Sequence, residues 1–267
     1  MTDRYAVIGN PVGHSLSPRI HAHFATATGE DLTYRTLPAD AFGVAAEGFF
    51  EAGGRGLNVT LPFKLDAFVW VAERGGGRGA ARAAGAVNTI AVSREGAHGY
   101  NTDGVGLLRD LEHNLGVGIS GRRVLVLGAG GAVQGVLGPL LDAGPHRLTV
   151  ANRTVSKAER LAAAFAGVEA SGLPDLDTDY DVIINGTSAG VAGGRPPIEA
   201  AGVQDAFCYD MFYTLEGETP FCRWCGECGA ARTADGLGML IEQAAESFFL
   251  WRGVRPPTRG LAQSLRA

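Results

Sequence analysis

Apolar positions fall into two alternating series along this chain. In the first, Tyr5-Ala6-Val7-Ile8 is an unbroken apolar run ending at Gly9, the pattern of a strand covered on both faces. The spacing then predicts a helix from Pro18, a strand over Leu32 to Leu37, a helix from Ala41 to Ala52, a strand at Leu57-Asn58-Val59 and a helix from about Phe63 to Glu73. Gly75-Gly76-Gly77 marks a break. Asn88 to Val92 and Gly99-Tyr100 read as a hairpin turning around Glu95-Gly96. The second series starts after Gly121. Arg123 to Leu127 predicts a buried strand, followed by a glycine-rich turn and a helix to Ala143. A strand over Arg147 to Ala151, a helix from Thr154 to Ala166, and strands at Asp181 to Ile184 and Phe207 to Tyr209 continue it. The tail from Gly236 to Trp251 predicts a long helix, and a short one follows Pro256-Pro257.

Strand and helix in alternation build βαβ units and mostly parallel sheets, so the fold class is α/β. With 267 residues, 46% of them hydrophobic, the chain can fill one large core or two modest ones, and two domains are favoured.

The formal net charge of -5 is spread in short mixed patches, without the basic stripe of a nucleic-acid binder. No apolar run approaches the roughly 18 residues of a membrane span. Met1-Thr2-Asp3-Arg4 leads straight into strand pattern rather than into the apolar stretch of a secretory signal, so the expected compartment is the cytoplasm. Cys222, Cys225 and Cys228 form C-x-x-C-x-x-C, with Cys208 upstream. A zinc site would pair two such knuckles and only one is present, so structural thiols are expected and no metal. The helical pattern of Pro220 to Gly229 sets Cys222 and Cys225 on one face.

The turn Gly128-Ala129-Gly130-Gly131-Ala132-Val133 lies between a strand and a helix. That arrangement lets backbone approach a pyrophosphate at a helix N-terminus, although glycine turns also end ordinary strands. Val133 stands where the usual fingerprint has its third glycine. After the next strand come Asn152-Arg153-Thr154, with Lys157 one turn on. An acid there would hold a ribose 2′-hydroxyl and repel a 2′-phosphate; a guanidinium, a hydroxyl and an ammonium attract the phosphate, which indicates NADP. The structural alternative is a solvated helix start with Thr154 as N-cap.

Polar residues gather at strand ends in the other half. Ser15 and Ser17 precede Pro18, and Ser17 is equally a helix N-cap or a carboxylate ligand. Thr60 and Lys64 follow one strand, and Asn88 and Asp103 lie near others. Alone, each is more often a surface charge or a turn residue.

Together the stretches NPVGHSLSP, NVTLPFK, GAVNT, NTDG, GAGGA, NRT, YDMFY and ADGLGMLIEQA resemble the shikimate dehydrogenase family, in its order and over nearly the whole chain. The resemblance implies an α/β substrate-binding domain over residues 1–104, completed by helices in 238–267, and a Rossmann-type NADP-binding domain over 105–237, with a deep cleft between them as the active site. It implies NADPH-dependent reduction of 3-dehydroshikimate to shikimate in aromatic amino-acid biosynthesis. Ser15, Ser17 and Tyr213 correspond to the family's carboxylate ligands, Thr60, Asn88 and Gln243 to its hydroxyl ligands, and Lys64 and Asp103 to its catalytic pair. Gly128, Gly130, Gly131 and Ala132 correspond to the pyrophosphate turn, Asn152, Arg153, Thr154 and Lys157 to the adenosine-phosphate site, and Met211 and Gly236 to the nicotinamide contact. Lys157 stands where many NADP-using members carry Arg. An NAD-using quinate/shikimate dehydrogenase is disfavoured by Asn152-Arg153 and by the Ser15/Ser17 pair, and a catalytically silent sensor by Lys64 with Asp103. A small-molecule substrate is the expected partner, and the oligomeric state stays open, a homodimer included.

Overall fold

In the computed structural model, which describes residues 2–76, 81, 85–93 and 96–267, the chain divides into two units. One comprises Met1–Gly106 with Ile241–Leu261, the other Leu107–Leu240 with Ala262–Ala267.

The first unit begins β1 (Asp3–Gly9), α1 (Ser17–Thr28), β2 (Leu32–Pro38), α2 (Phe42–Glu51), β3 (Gly54–Val59) and α3 (Lys64–Ala72), followed by β4 (Thr89–Ser93) and β5 (Gly96–Tyr100). They form one sheet in the order β2-β1-β3-β4-β5. β1 runs parallel to β2 and β3, while β4 turns back antiparallel to β3 and to β5. The apolar run of β1 predicts a central strand, and β1 lies between two neighbours with Ala6, Val7 and Ile8 buried. Ile8, Leu57 and Val59 of the sheet pack with Phe42 and Phe49 of α2 and Ala67 and Val71 of α3. Each such aliphatic or aromatic side chain contributes about 1.5–3 kcal/mol on burial.

A helix, α4 (Asp103–Arg109), leads through a π-helical turn at Asp110–Asn114 into the second unit. There β6 (Arg123–Leu127), α5 (Gly131–Asp142), β7 (Arg147–Asn152), α6 (Val155–Ala164), β8 (Val168–Gly172), β9 (Val182–Asn185), β10 (Phe207–Asp210), α7 (Pro220–Glu227) and β11 (Arg232–Asp235) follow. All six strands are parallel, in the order β11-β10-β9-β6-β7-β8. Renumbered from β6 this is the doubly wound 3-2-1-4-5-6 order, whose switch point lies between β6 and β9. Val124, Val126, Val150 and Ile184 form a core with Val136 and Leu140 of α5 on one face. Leu125, Ile183 and Cys208 pack with Phe221 and Cys225 on the other.

The last helices are α8 (Leu237–Arg252) and α9 (Leu261–Arg266). The later turns of α8 belong to the first unit, where Phe248 meets Phe24 edge-on at 5.8 Å and Trp251 Nε1 donates to Ile90 O at 3.0 Å. Arg252 pairs with Asp3 and Glu30. No helix among the described residues is long and apolar enough to cross a membrane.

Three local expectations change. Ser17 is the first residue of α1, and Leu16 occupies the N-cap position without a side-chain bond. The serine that helps there is Ser15, whose Oγ accepts from Ser17 N at 3.2 Å. Thr154 does occupy the N-cap of α6, but its hydroxyl makes no capping bond. β8 and β11 were not foreseen, because Val168-Glu169-Ala170-Ser171-Gly172 and Arg232-Thr233-Ala234-Asp235 are short edge strands with little apolar signal. Residue 77 of the glycine break and residue 95 of the hairpin turn lie outside the described residues.

Candidate active site

Lys64 opens α3, directly after the β3 end, and Asp103 opens α4 after β5. Strand ends of one sheet thus bring together residues 39 positions apart. Lys64 Nζ donates to Asp103 Oδ2 at 2.6 Å, with side-chain exposures of only 20% and 10%. The other carboxylate oxygen accepts from Asn88 Nδ2 at 2.8 Å. Asn88, buried just before β4, accepts the Thr102 backbone N–H on Oδ1 at 2.9 Å. That contact fixes which way the amide faces, since a flipped amide would set N–H against N–H and oxygen against carboxylate. The pair therefore sits in a site shielded enough for its charges to count and open enough to meet a ligand.

Four more of the expected substrate residues lie in this unit. Gln243 of α8 is half-buried, with Oε1 at 3.3 Å from the Thr102 hydroxyl, which also accepts from Asn88 Nδ2 at 3.0 Å. Lys64, Asp103, Asn88 and Gln243 therefore form one cluster. Ser15 and the buried Ser17 share the turn that opens α1. Thr60, half-buried, donates its N–H to Ile8 O at 3.0 Å. Tyr213 belongs to the second unit, where it stacks on Phe212 at 6.3 Å; burial, with Asp235 adding to it, raises its hydroxyl pKa.

The glycine turn follows β6. Gly128 holds a left-handed φ of 105°, and a Cβ there would meet Gly186 O at 3.1 Å. Gly130 is the N-cap residue of α5 and Gly131 its first residue, and a Cβ on either would point into open space. Glycines there leave bare N–H groups at a helix N-terminus facing outward, with Ala132 exposed beside them. Val133 is fully buried: its methyl fills the space at Gly186, where a Cβ would come within 2.5 Å of Val133 Cγ2.

At the β7 end, Asn152 Nδ2 donates to Thr154 O at 2.9 Å, which bends the chain into α6. Arg153, Thr154 and Lys157 are exposed on this bend. Arg153 also borders a cavity of about 470 Å³ whose lining includes Leu125, Leu173, Leu176 and Ile198 together with Asp177 and Glu199. The stretch 152–157 at this strand end offers a 2′-phosphate cationic and hydroxyl groups and contains no acid. Met211 is half-buried, its Sδ 3.0 Å from a Cβ position at Gly186, and a Cβ at Gly236 would collide with Met211 O. Behind this loop, buried Asp210 accepts from Asn185 Nδ2 at 2.9 Å, and Asn185 Oδ1 accepts from Thr187 N and Oγ1. Burial raises the Asp210 pKa, against the bonds from Thr219, Phe212 and Asn185.

Comparison with known proteins supplies the deciding observation. The family description "Shikimate dehydrogenase substrate binding domain" matches residues 7–90, "Shikimate / quinate 5-dehydrogenase" residues 110–192, and "Shikimate 5'-dehydrogenase C-terminal domain" residues 236–266. The chain belongs to the shikimate dehydrogenase family. The shikimate dehydrogenase (NADP(+)) of Hahella chejuensis is 53% identical over 99% of this chain and 98% of its own. Among solved structures, the Ael1 enzyme from Pseudomonas putida is 43% identical with a TM-score of 0.93, covering 99% of this chain and 98% of that one. The shikimate 5-dehydrogenase of Thermus thermophilus, solved in complex with NADP(H) and shikimate, is 31% identical with a TM-score of 0.86, covering 99% of each.

For a member of the shikimate dehydrogenase family, the sequence reading left out Thr102, although it stands in the NTDG stretch beside Asp103. It also left out Gly186, which answers for the missing third glycine. The stretch Asn185-Gly186-Thr187 at a strand end was the available signal. Cys208, Cys222 and Cys225 are buried free thiols, and burial first of all pushes the Cys222 thiol up to about 12.

Proposed function

We propose that this chain catalyses the reversible NADPH-dependent reduction of 3-dehydroshikimate to shikimate. The observation that carries the reading is the enclosed Lys64–Asp103 pair, held from behind by Asn88. The residues at the β6 and β7 ends fit NADP. Gly130 and Gly131 keep the α5 N-terminus clear for a pyrophosphate, and Arg153, Thr154 and Lys157 offer the 2′-phosphate a guanidinium, a hydroxyl and an ammonium. When bound, the cofactor supplies or accepts the hydride.

The chain's own residues handle the proton and the substrate. Reduction turns a carbonyl oxygen into an alkoxide, which needs a proton or a nearby positive charge. The Lys64 ammonium provides either at Nζ, and Asp103 keeps it aimed by holding one of its three hydrogens. In oxidation Lys64 takes the hydroxyl proton back. Ser15 and Ser17 receive the substrate carboxylate, with Tyr213 contributing its hydroxyl. Thr60, Asn88 and Gln243 bind the ring hydroxyls. The amide hydrogens of Asn88 already serve Asp103 and Thr102, so a substrate hydroxyl at Asn88 exchanges with the Thr102 contact. Met211 and Gly236 meet the nicotinamide.

The enzyme acts in the cytoplasm, where its substrate and cofactor are small diffusible molecules. We also propose a homodimer; Leu61, Leu65 and Val69 leave an apolar stripe at and along α3, 73%, 61% and 55% exposed, with Val44 of α2 also exposed. The test of the function mixes the protein with shikimate and either NADP or NAD and follows absorbance of the reduced nicotinamide. Turnover with NADP is expected; absence of turnover with both cofactors overturns the reading.

A further inference from the structure

Behind Asn88 the first unit buries a second polar group of residues that touches neither Lys64 nor Asp103. Thr89 and Ser247 are fully enclosed and Asn58 is 6% exposed. They come from three elements: Asn58 from β3, Thr89 from β4 and Ser247 from α8. Such groups are costly inside a protein unless their donors and acceptors are used, and here they bond to one another and to Asn88. Tyr34 OH donates to Asn58 Oδ1 at 2.7 Å, which turns the Asn58 amide nitrogen inward. Asn58 Nδ2 then donates to Ser247 Oγ at 2.9 Å and Thr89 Oγ1 at 3.0 Å. Thr89 Oγ1 donates onward to Asn88 Oδ1 at 2.9 Å. Ser247 Oγ lies 2.8 Å from Thr89 Oγ1, a contact in which either hydroxyl can be the donor, and it also donates to Gln243 O at 3.0 Å. Asn88 Nδ2 carries the chain to Asp103 Oδ1, and Asp103 Oδ2 to Lys64.

We propose that Thr89, Asn58 and Ser247 are positioning residues of the reaction, which hold Asn88 so that Asp103 and Lys64 keep their working geometry. The inference rests on the assignment of Lys64 and Asp103 as the catalytic pair. Replacing hydrogen-bonded buried partners together by apolar groups of the same shape can be nearly neutral, so stability alone gives no reason for a polar set. The polar set adds a donor on Asn88 Oδ1 besides the Thr102 N–H, and with it an orientation fixed from two sides. Catalysis is sensitive to displacements of about 1 Å, so a loosened Asn88 lowers turnover, while the KM for NADP, which Asn88 does not contact in this reading, is spared.

The test compares Thr89→Val, which keeps the branched shape without the hydroxyl, with Thr89→Ser, which keeps the hydroxyl without the methyl. Thr89→Val is expected to lower kcat about tenfold and leave the KM for NADP unchanged, while Thr89→Ser restores kcat. Ser247→Ala, a substitution that suits a helix, is expected to lower kcat in the same direction and carries the test if Thr89→Val does not fold. Unchanged kcat in Thr89→Val or in Ser247→Ala, or equal losses in Thr89→Val and Thr89→Ser, would overturn the proposal. Lys64→Ala serves as the control: if it too keeps its turnover, the catalytic assignment has failed instead. The positioning role is then read without activity, from the side-chain amide NMR signals of Asn88. They shift in Thr89→Val and stay in place in Thr89→Ser if the role is real; signals unmoved in Thr89→Val refute it.

Discussion

Val133 packs into the space that the missing Cβ of Gly186 leaves, with only 2.5 Å between that Cβ position and Val133 Cγ2. The third fingerprint glycine ordinarily lets the helix approach the sheet closely. Here the small residue stands on the neighbouring strand end, on the other side of the same contact. Gly186→Ala therefore forces Val133 and the β9 loop apart. The expected cost is about 1–3 kcal/mol of stability, measured by urea unfolding, together with a raised KM for NADP. A variant as stable as wild type would show that the loop absorbs a methyl freely.

Arg153 lies exposed where NAD-using proteins of this architecture place an acid. A hydrogen bond to a charged group is worth about 1.5–3 kcal/mol, or roughly 10- to 10²-fold in binding. Arg153→Ala should lower the preference for NADP over NAD by about that factor, through KM for NADP. Wild-type protein equally efficient with both cofactors would refute the reading of this strand end.

Lys64 and Asp103 act on one transition state, so their losses should not add. Lys64→Ala is expected to reduce kcat by about 10² or more with the shikimate KM within a few-fold. Asp103→Ala should lower kcat and raise KM, because Lys64 and Asn88 both lose the acceptor they face. The double variant is expected to be little worse than the worse single one. Steady-state kinetics at saturating NADP decides this: near-normal turnover in Lys64→Ala ends its catalytic role.

His21 lies fully buried on α1, stacked on Tyr34 at 4.1 Å with an interplanar angle of 6°. Neither ring nitrogen has a bonded partner among the described residues. Burial lowers its pKa from 6.5 to about 3, and the nearby Asn58 amide only partly offsets it. The folded protein thus keeps this ring neutral where the unfolded chain protonates it. Its contribution to stability is complete above pH 6.5 and falls as pH drops from there toward about 3. The slope is about 1.4 kcal/mol per pH unit inside that window. His21→Phe should flatten the difference in unfolding free energy between neutral and mildly acidic pH. An identical pH slope in variant and wild type would contradict the assignment.

Much of this protein is local in the chain, and local features are legible. The apolar run of β1 marks a central strand because a strand covered on both faces has no polar side to show. The glycine turn after β6, and Asn152-Arg153-Thr154 after β7, announce phosphate chemistry because consecutive residues form each one. Ser15 and Ser17 could be picked out as neighbours, but which of them serves the start of α1 depended on where the helix began. The polar group behind Asp103 was beyond such reading. Asn58 lies 31 positions from Thr89 and 189 from Ser247, and none of the three stands in a pattern that says it is buried with the others. Ser247 reads as one more helix residue until α8 packs beside β3 and β4. Only that packing removes water from all three at once, and without water they have no partners left but one another.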